Sequence, residues 1–295
     1  MTAIPQKSAV LIAGPTASGK SALALAEARR RGGVIINADS MQVYRELCIL
    51  TARPSVEDER QAPHRLYGHI SGGDDYSVAR WLADAKAEMQ RCWDADATPI
   101  ICGGTGLYFR ALEQGLADVP KIAPEVRERW RTCSGDLHAA LMTRDAEAGQ
   151  RLNPADRQRI IRALEVIDST GRSLAQWQAD AASANFLNQI NVERIYVDVP
   201  REQLYARAEK RFDLMMQHGA LDEVKALPAF DRAQPIMKAI GVPELLAHLN
   251  GELSLEQAIT DAKTATRNYI KRQLTWWRGQ MKHWPAQAKE ASAGA

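Results

Sequence analysis

Gly14-Pro15-Thr16-Ala17-Ser18-Gly19-Lys20-Ser21 sets two glycines, a lysine and a hydroxyl at the spacing G-x4-G-K-S. Glycines allow a tight turn whose successive backbone N–H groups point at one anion, and a following helix adds the positive end of its dipole. Lys20 supplies a point charge for phosphate, and the Ser21 hydroxyl can ligate a Mg²⁺ that bridges phosphate oxygens. Such a loop is meaningful only between a strand and a helix. Both are present: Ser8 to Ala13 is a short apolar run, and an Ala- and Leu-rich segment continues to about Arg31, closed by Gly32-Gly33. A phosphorylated or diphosphorylated small molecule is therefore expected at residues 14–21.

Two further segments carry reactive types at the ends of apolar runs. Asp39-Ser40-Met41-Gln42 follows Val34 to Ala38. A carboxylate there can position metal or accept a proton from a nucleophile, and it can equally cap a helix. Gln42 has the amide that pairs with an adenine edge. Gly103-Gly104-Thr105-Gly106 follows Pro99 to Cys102. Thr105 could donate to a bridging or leaving oxygen; taken alone, a cap in a turn is the simpler reading. The third run ends in Cys102-Gly103, without the acid a typical NTPase places on Mg²⁺, and no guanine-reading N-K-x-D occurs. Both features count against nucleotide hydrolysis, while a small-molecule kinase stays open.

These segments need a scaffold. Ser77 is a candidate N-cap, and Val78, Leu82, Ala85, Met89 and Trp93 recur at helical spacing. Strand and helix alternating this way imply an α/β fold with a parallel sheet flanked by helices, and ligands in such sheets sit at the carboxyl ends of strands. From about Lys121 to Asn191 the chain is rich in Arg, Ala, Gln and Asp, punctuated by Asn153-Pro154 and Gly171, and reads as an inserted all-helical domain. The expected division is a P-loop core over 1–119 and 196–295, with the insertion at 120–195. Ile195 to Val199 returns to strand character. Pro200 then opens a helix with Leu204, Ala208, Phe212 and Met215 on one face and Gly219 as its stop. Leu255 to about Lys282 reads as a long basic helix or helix pair, and 286–295 as a disordered end.

With 295 residues, 45% hydrophobic and 25% charged, the composition is that of an ordinary soluble protein with a sizeable core. Net charge is only +2, but Lys263, Arg267, Lys271, Arg272, Arg278, Lys282 and Lys289 share a stretch without Asp or Glu. That stretch would attract a phosphate backbone, or simply be a solvated helix face. Cys48, Cys92, Cys102 and Cys133 form no C-x-x-C pair and read as reduced thiols of a cytoplasmic protein. The first residues hold no apolar signal core, and no apolar run is long enough to span a membrane. A monomer is expected.

Six blocks together resemble the tRNA dimethylallyltransferases of bacterial type: GPTASGKS at 14–21, INADSMQVYR at 36–45, GGTGLYFRAL at 103–112, QRIIRALEV at 158–166, EKRFDLM at 209–215 and KRQLTWWRG at 271–279. The resemblance implies transfer of a dimethylallyl group from dimethylallyl diphosphate to the exocyclic 6-amino group of the adenine 3′ of the anticodon in tRNA. It implies that residues 14–21 hold the donor diphosphate with Mg²⁺. Asp39 then resembles the general base, Thr105 the residue near the bridging oxygen, and Arg211 a diphosphate ligand beside Lys20. Asp39, Ser40, Met41 and Gln42 resemble the adenine-reading segment, and Thr105 a further tRNA-binding position. Arg127, Gln158, Arg159, Ile160, Ile161, Arg162, Lys238, Lys271, Arg272 and Arg278 resemble tRNA-contacting positions, with the insertion gripping the anticodon stem-loop.

The chain departs from the family pattern twice. Cys48-Ile49-Leu50-Thr51-Ala52-Arg53-Pro54 stands where many members have an acid, a glycine and a lysine in acidic-x-Gly-Thr-Ala-Lys-Pro. Lys238-Ala239-Ile240-Gly241-Val242-Pro243 lacks the arginines that flank a Gly-aromatic pair. The alternatives are an isopentenyltransferase acting on free adenine nucleotides, a P-loop kinase, and a non-catalytic RNA-binding module. The insertion and the acid-free tail argue against the first of these.

Overall fold

The computed structural model describes residues 7–182 and 186–288. The chain divides into two units, Met1–Arg110 with Leu187–Ala295, and Ala111–Phe186. The division falls at 110 and 186 instead of the expected 119 and 195. The strand β5 begins at Asn191, inside the span read as insertion, because its alternating burial hides only Ile195 and Val197 and leaves a weak apolar signal.

The larger unit is built on six strands, β1 (Ser8–Ala13), β2 (Gly33–Asn37), β3 (His64–Arg65), β4 (Thr98–Gly103), β5 (Asn191–Asp198) and β6 (Ala286–Ala288), ordered β3-β2-β4-β1-β5-β6. All pairings are parallel. Ile12 lies between Cys102 and Ile195, and Leu11 between Ile101 and Arg194. β1 and β4 are buried along almost their whole length, which is why both read as unbroken apolar runs. β2, β4 and β1 are adjacent, so the three reactive segments that follow them emerge side by side at one sheet edge. β6 corrects the expected disorder at 286–288, which pair with Tyr196 to Asp198; residues 289–295, with Lys289, lie outside the described residues.

Helices flank this sheet. α1 (Lys20–Arg31) ends as expected at Gly32, whose φ of 59° is left-handed and whose N–H bonds to Ala28. α2 (Val56–Gln61) carries a Ser55–Asp58 capping box. α3 (Val78–Asp94) has Ser77 as its N-cap and buries Trp81, Leu82, Ala85, Met89 and Cys92. The buried stripe is rotated slightly from the expected one. Trp81 takes its centre, donating to the Asn37 carbonyl at 2.8 Å and stacking on Tyr108 of α4 (Gly106–Gln114) at 4.1 Å. Truncating it would cost about 3–5 kcal/mol.

The smaller unit, described by itself, packs α5 (Pro124–Thr132), α6 (Leu137–Arg144), α7 (Ala146–Arg151), α8 (Arg157–Thr170) and α9 (Leu174–Ala182). Its core is Trp130, Leu137, Leu141, Ala148, Ile160, Ala163 and Leu164. Asp168 accepts from Arg129, from Arg144 at 3.1 Å and from the Trp130 indole at 2.9 Å. The buried Glu165 pairs with Arg131 at 3.3 Å.

In the larger unit α10 (Arg201–Gln217) buries Leu204, Ala208, Phe212 and Met215, the face read from the sequence. Gly219, at φ 96°, opens α11 (Ala220–Lys225), and α12 (Val242–Leu249) follows. α13 (Leu255–Gln280) is one uninterrupted helix, and its buried stripe includes two polar residues, Thr266 and Gln273.

Candidate active site

The loop 14–21 joins β1 to α1. Ala17 at φ 64° and Gly19 at φ 85° are both left-handed, which curls the backbone N–H groups toward one point. A Cβ on Gly14 would lie 2.7 Å from the Ser18 hydroxyl, so only glycine fits there. The first helical bond runs from Leu23 to Gly19, leaving the N–H groups of Lys20, Ser21 and Ala22 at the open end of α1. The Lys20 ammonium folds back over the loop onto the Pro15 carbonyl at 3.2 Å. Burial lowers its pKa; the charges of Cys102 and Asp39 oppose that, and Arg211 adds to it. Ser18 is fully buried, whereas Ser21 is exposed.

Beside the loop, Asn37 shapes the turn after β2. Its amide donates to the carbonyls of Asp39 at 2.9 Å and Leu66 at 3.1 Å, and its oxygen accepts the Asp39 N–H at 2.8 Å. Asp39 Oδ1 accepts the Met41 N–H at 2.9 Å. No helix follows Asp39, so the helix-cap alternative is removed.

A cavity of ≈ 230 Å³ opens here, bordered by Thr16, Asp39, Ser40, Met41, Leu50, Thr51, Arg211, Lys238, Tyr269 and Arg272, with Phe212 and Met215 on its apolar side. Arg211 reaches Thr16 Oγ1 at 3.4 Å. Burial lowers the Arg211 pKa and the nearby Asp39 charge offsets it. Burial and the same carboxylate push the Tyr269 phenol up. Asp39, Arg211, Thr16, Lys238 and Arg272 thus converge on one space.

Other expected positions fall elsewhere. Thr105 does not itself border the cavity: its Oγ1 accepts the Ser40 N–H at 2.9 Å and lies 3.3 Å from the Ser40 hydroxyl, and its side chain also bonds to Tyr269, so it supports two residues that do. Gln42 does not border this cavity: its amide donates to the Thr51 and Ala52 carbonyls at 2.8 and 2.9 Å, inside the molecule. Bidentate adenine reading by Gln42 would require giving up one of these two Nε2 bonds. Ile160 is a core residue of the smaller unit, 1% exposed, and cannot meet RNA; Ile161 packs beside the same core. The block 158–162 was read as contiguous, but a helix turns every fourth residue inward. Arg127, Gln158 and Arg159 are exposed in that unit, with Arg159 pairing to Asp156 at 3.4 Å. Burial lowers the Arg162 pKa, with Glu165 opposing. On α13 Lys271, Arg272 and Arg278 are exposed, whereas Lys263 pairs with Asp213 at 2.6 Å and Arg267 with Glu209. The basic stretch is therefore partly neutralised by α10.

Three supporting residues lie outside the expected site positions. Glu223 accepts the N–H groups of Cys48, Ile49 and Leu50 at 2.6, 2.7 and 2.9 Å. Arg53 donates to the Tyr44 and Arg45 carbonyls and so holds the turn. Gln273 joins residues 16 and 104. Its signal was a long polar side chain on a mostly apolar helical stripe.

The donor set suits a Mg²⁺ only in part. Ser21 is one exposed hydroxyl at the open end of α1. Among the described residues no group of three or more His, Cys, Asp or Glu could hold a metal alone. An ion there would take most of its ligands from phosphate oxygens and water, as Mg²⁺ does.

The sequence matches the IPP transferase family over residues 42–280, and the isopentenyl transferase family over 7–73. A tRNA dimethylallyltransferase of Azorhizobium caulinodans is 55% identical over 283 residues, covering 94% of this chain and 90% of that protein. A crystal structure of a Staphylococcus epidermidis tRNA Δ(2)-isopentenylpyrophosphate transferase aligns with a TM-score of 0.67 at 32% identity, covering 95% of this chain and 93% of that one. A eukaryotic dimethylallyltransferase acting on tRNA aligns with a TM-score of 0.81 at 26% identity, over 92% of this chain and 70% of that one. The loop 14–21, the carboxylate facing Arg211 and these likenesses over nearly the whole length agree: the chain belongs to the tRNA dimethylallyltransferase family.

Proposed function

We propose that this protein transfers a dimethylallyl group from dimethylallyl diphosphate to the exocyclic amine of the adenine 3′ of the anticodon in tRNA, releasing diphosphate. One observation carries the reading: Asp39 borders the same cavity as Thr16 of the phosphate loop and Arg211. An allylic diphosphate ionises readily, because positive charge spreads over the allyl group. The main task is then to neutralise negative charge growing on the leaving diphosphate. Lys20, Arg211 and the N–H groups at the start of α1 are fixed in place for that before reaction begins. Mg²⁺, held by Ser21, would supply further positive charge there.

The adenine amine is a poor nucleophile, since its lone pair is delocalised into the ring. Asp39 accepts its proton as the C–N bond forms. Met41 N–H fixes the Asp39 carboxylate through Oδ1. The base must leave the anticodon stack, at a cost of about a few kcal/mol. Lys271, Arg272 and Arg278 on α13, and Arg127 and Arg159 of the helical unit, supply cations for the phosphates that offset it. No helix among the described residues is long and apolar enough to cross a membrane, and a cytoplasmic monomer fits a tRNA substrate.

The test is direct. The protein is incubated with Mg²⁺, dimethylallyl diphosphate and unmodified tRNA carrying adenine 3′ of the anticodon, and the nucleosides are weighed by mass spectrometry. A dimethylallyl adduct on that adenine is expected. Its absence, with phosphorylation of a metabolite by ATP instead, would replace the reading by a kinase.

A further inference from the structure

We propose that Gln273 is a positioning residue that keeps the phosphate loop in register with the turn carrying Thr105. The inference rests on the reading of residues 14–21 as the donor diphosphate cradle. Gln273 lies on the buried stripe of α13 with Ile270, Leu274 and Trp277, and only 6% of it is exposed. An amide buried there is costly unless both its ends are bonded. Both are: Oε1 accepts the Thr16 N–H at 2.9 Å, and Nε2 donates to the Gly104 carbonyl at 2.9 Å.

The two partners lie in the loops after the adjacent strands β1 and β4. A Cβ on Gly104 would come within 2.5 Å of Nε2, so the turn and the amide meet at the closest approach a glycine allows. From there a chain of contacts runs to the reacting groups. Thr16 Oγ1 accepts from Arg211 at 3.4 Å. Thr105, next to Gly104, accepts the Ser40 N–H, and Ser40 adjoins Asp39. Gln273 touches neither ligand; it acts through Thr16 and Thr105. Because the Thr16 N–H is committed to Gln273, the anion-facing amides begin later in the loop. The amide's two-ended chemistry matters: a carboxylate at the same place would keep an acceptor for Thr16 but face the Gly104 carbonyl oxygen with a second oxygen.

The experiment titrates native protein, Gln273→Met and Gln273→Glu with inorganic diphosphate in Mg²⁺ by calorimetry. Transfer and tRNA affinity are measured alongside, all well below each protein's Tm. Misplacing a cradle by about an ångström costs on the order of a hundredfold in rate. In both variants we expect kcat to fall about a hundredfold, diphosphate affinity to weaken about tenfold, and tRNA affinity to stay native. A residue that only stabilises the fold would lower Tm and leave the folded protein's kcat and diphosphate affinity unchanged, and that result overturns the proposal. If Gln273→Met does not fold, the near-isosteric Gln273→Glu decides alone: native kcat overturns, a lowered kcat with native tRNA affinity supports. Native protein that neither binds diphosphate nor transfers removes the proposed function and this role together; unchanged variants of an active protein remove this role only.

Discussion

The loop 14–21 and the turn 47–53 border the same cavity, yet they are held in opposite ways. The loop takes its curl from its own residues: Ala17 and Gly19 in left-handed conformations, Gly14 against Ser18, Lys20 on Pro15. The turn is held from outside. Glu223, from a helix 173 to 175 residues away, captures three of its N–H groups. Gln42 takes two of its carbonyls, and Arg53 anchors its end on residues 44 and 45. A structure fixed by near neighbours in the chain is written as a motif. A structure fixed by distant groups leaves no motif, and it tolerates change in its own residues. That is the physical reason this turn can carry Cys48 and Leu50: the anchoring carboxylate comes from Glu223, and Leu50 packs over Gly241.

Breaking the loop should have the largest effect. Lys20→Ala removes a fixed cation from the leaving group, and kcat/KM should fall on the order of a thousandfold while Tm stays near native. Steady-state kinetics with melting curves check this; a loss of only a few-fold would show that the amides and Arg211 suffice.

Breaking the turn should act on stability first. Glu223→Ala leaves three N–H groups without a charged acceptor, at a cost of about 2–3 kcal/mol, or about 3–5 °C in Tm. Diphosphate affinity should hardly move. Glu223→Gln should recover part of the loss, and calorimetry reads both. Equal loss of diphosphate binding would erase the contrast between loop and turn.

A smaller effect comes from Cys102, beneath Lys20 at the end of β4. Burial pushes its thiol up to about 11, against an ordinary value near 9.0, with Lys20 pulling it down and Asp39 adding to the rise. Because the folded value is raised, the contribution is complete below the unfolded pKa and is lost as pH rises from about 9 to about 11. Native protein should lose about 2 kcal/mol more than Cys102→Ala over that window in denaturant titrations. Parallel curves would contradict it.

The smallest contrast lies within α13. Lys271→Ala should weaken tRNA binding by about 1 kcal/mol and make the salt dependence shallower by about one unit of slope. Lys263→Ala should leave the slope unchanged, since Asp213 already neutralises that cation.

The same division governs what could be read from sequence. The strands expected at 8–13, 34–38 and 99–102 form at 8–13, 33–37 and 98–103, and the strand–loop–helix at 14–21, the Ser77 cap and the inner face of α10, which also arise from local pattern, are present. What escaped was long-range. β5 has too few buried positions to register before Ile195, and β6 is three residues that exist only because β5 offers an edge. Gln273 acts across 257 residues, so nothing near it announces the partner. Gln42 and Ile160 were drawn into the site by belonging to meaningful blocks, although one turns inward to a loop and the other to a core.

The central claim is that Asp39 takes the proton and nothing else replaces it. Single-turnover transfer by Asp39→Asn, with inorganic diphosphate and tRNA affinities measured on the same sample, tests this most directly. The account predicts native affinities for both and a transfer rate lower by about a hundredfold or more. A rate within a few-fold of native, at native affinities, would contradict it.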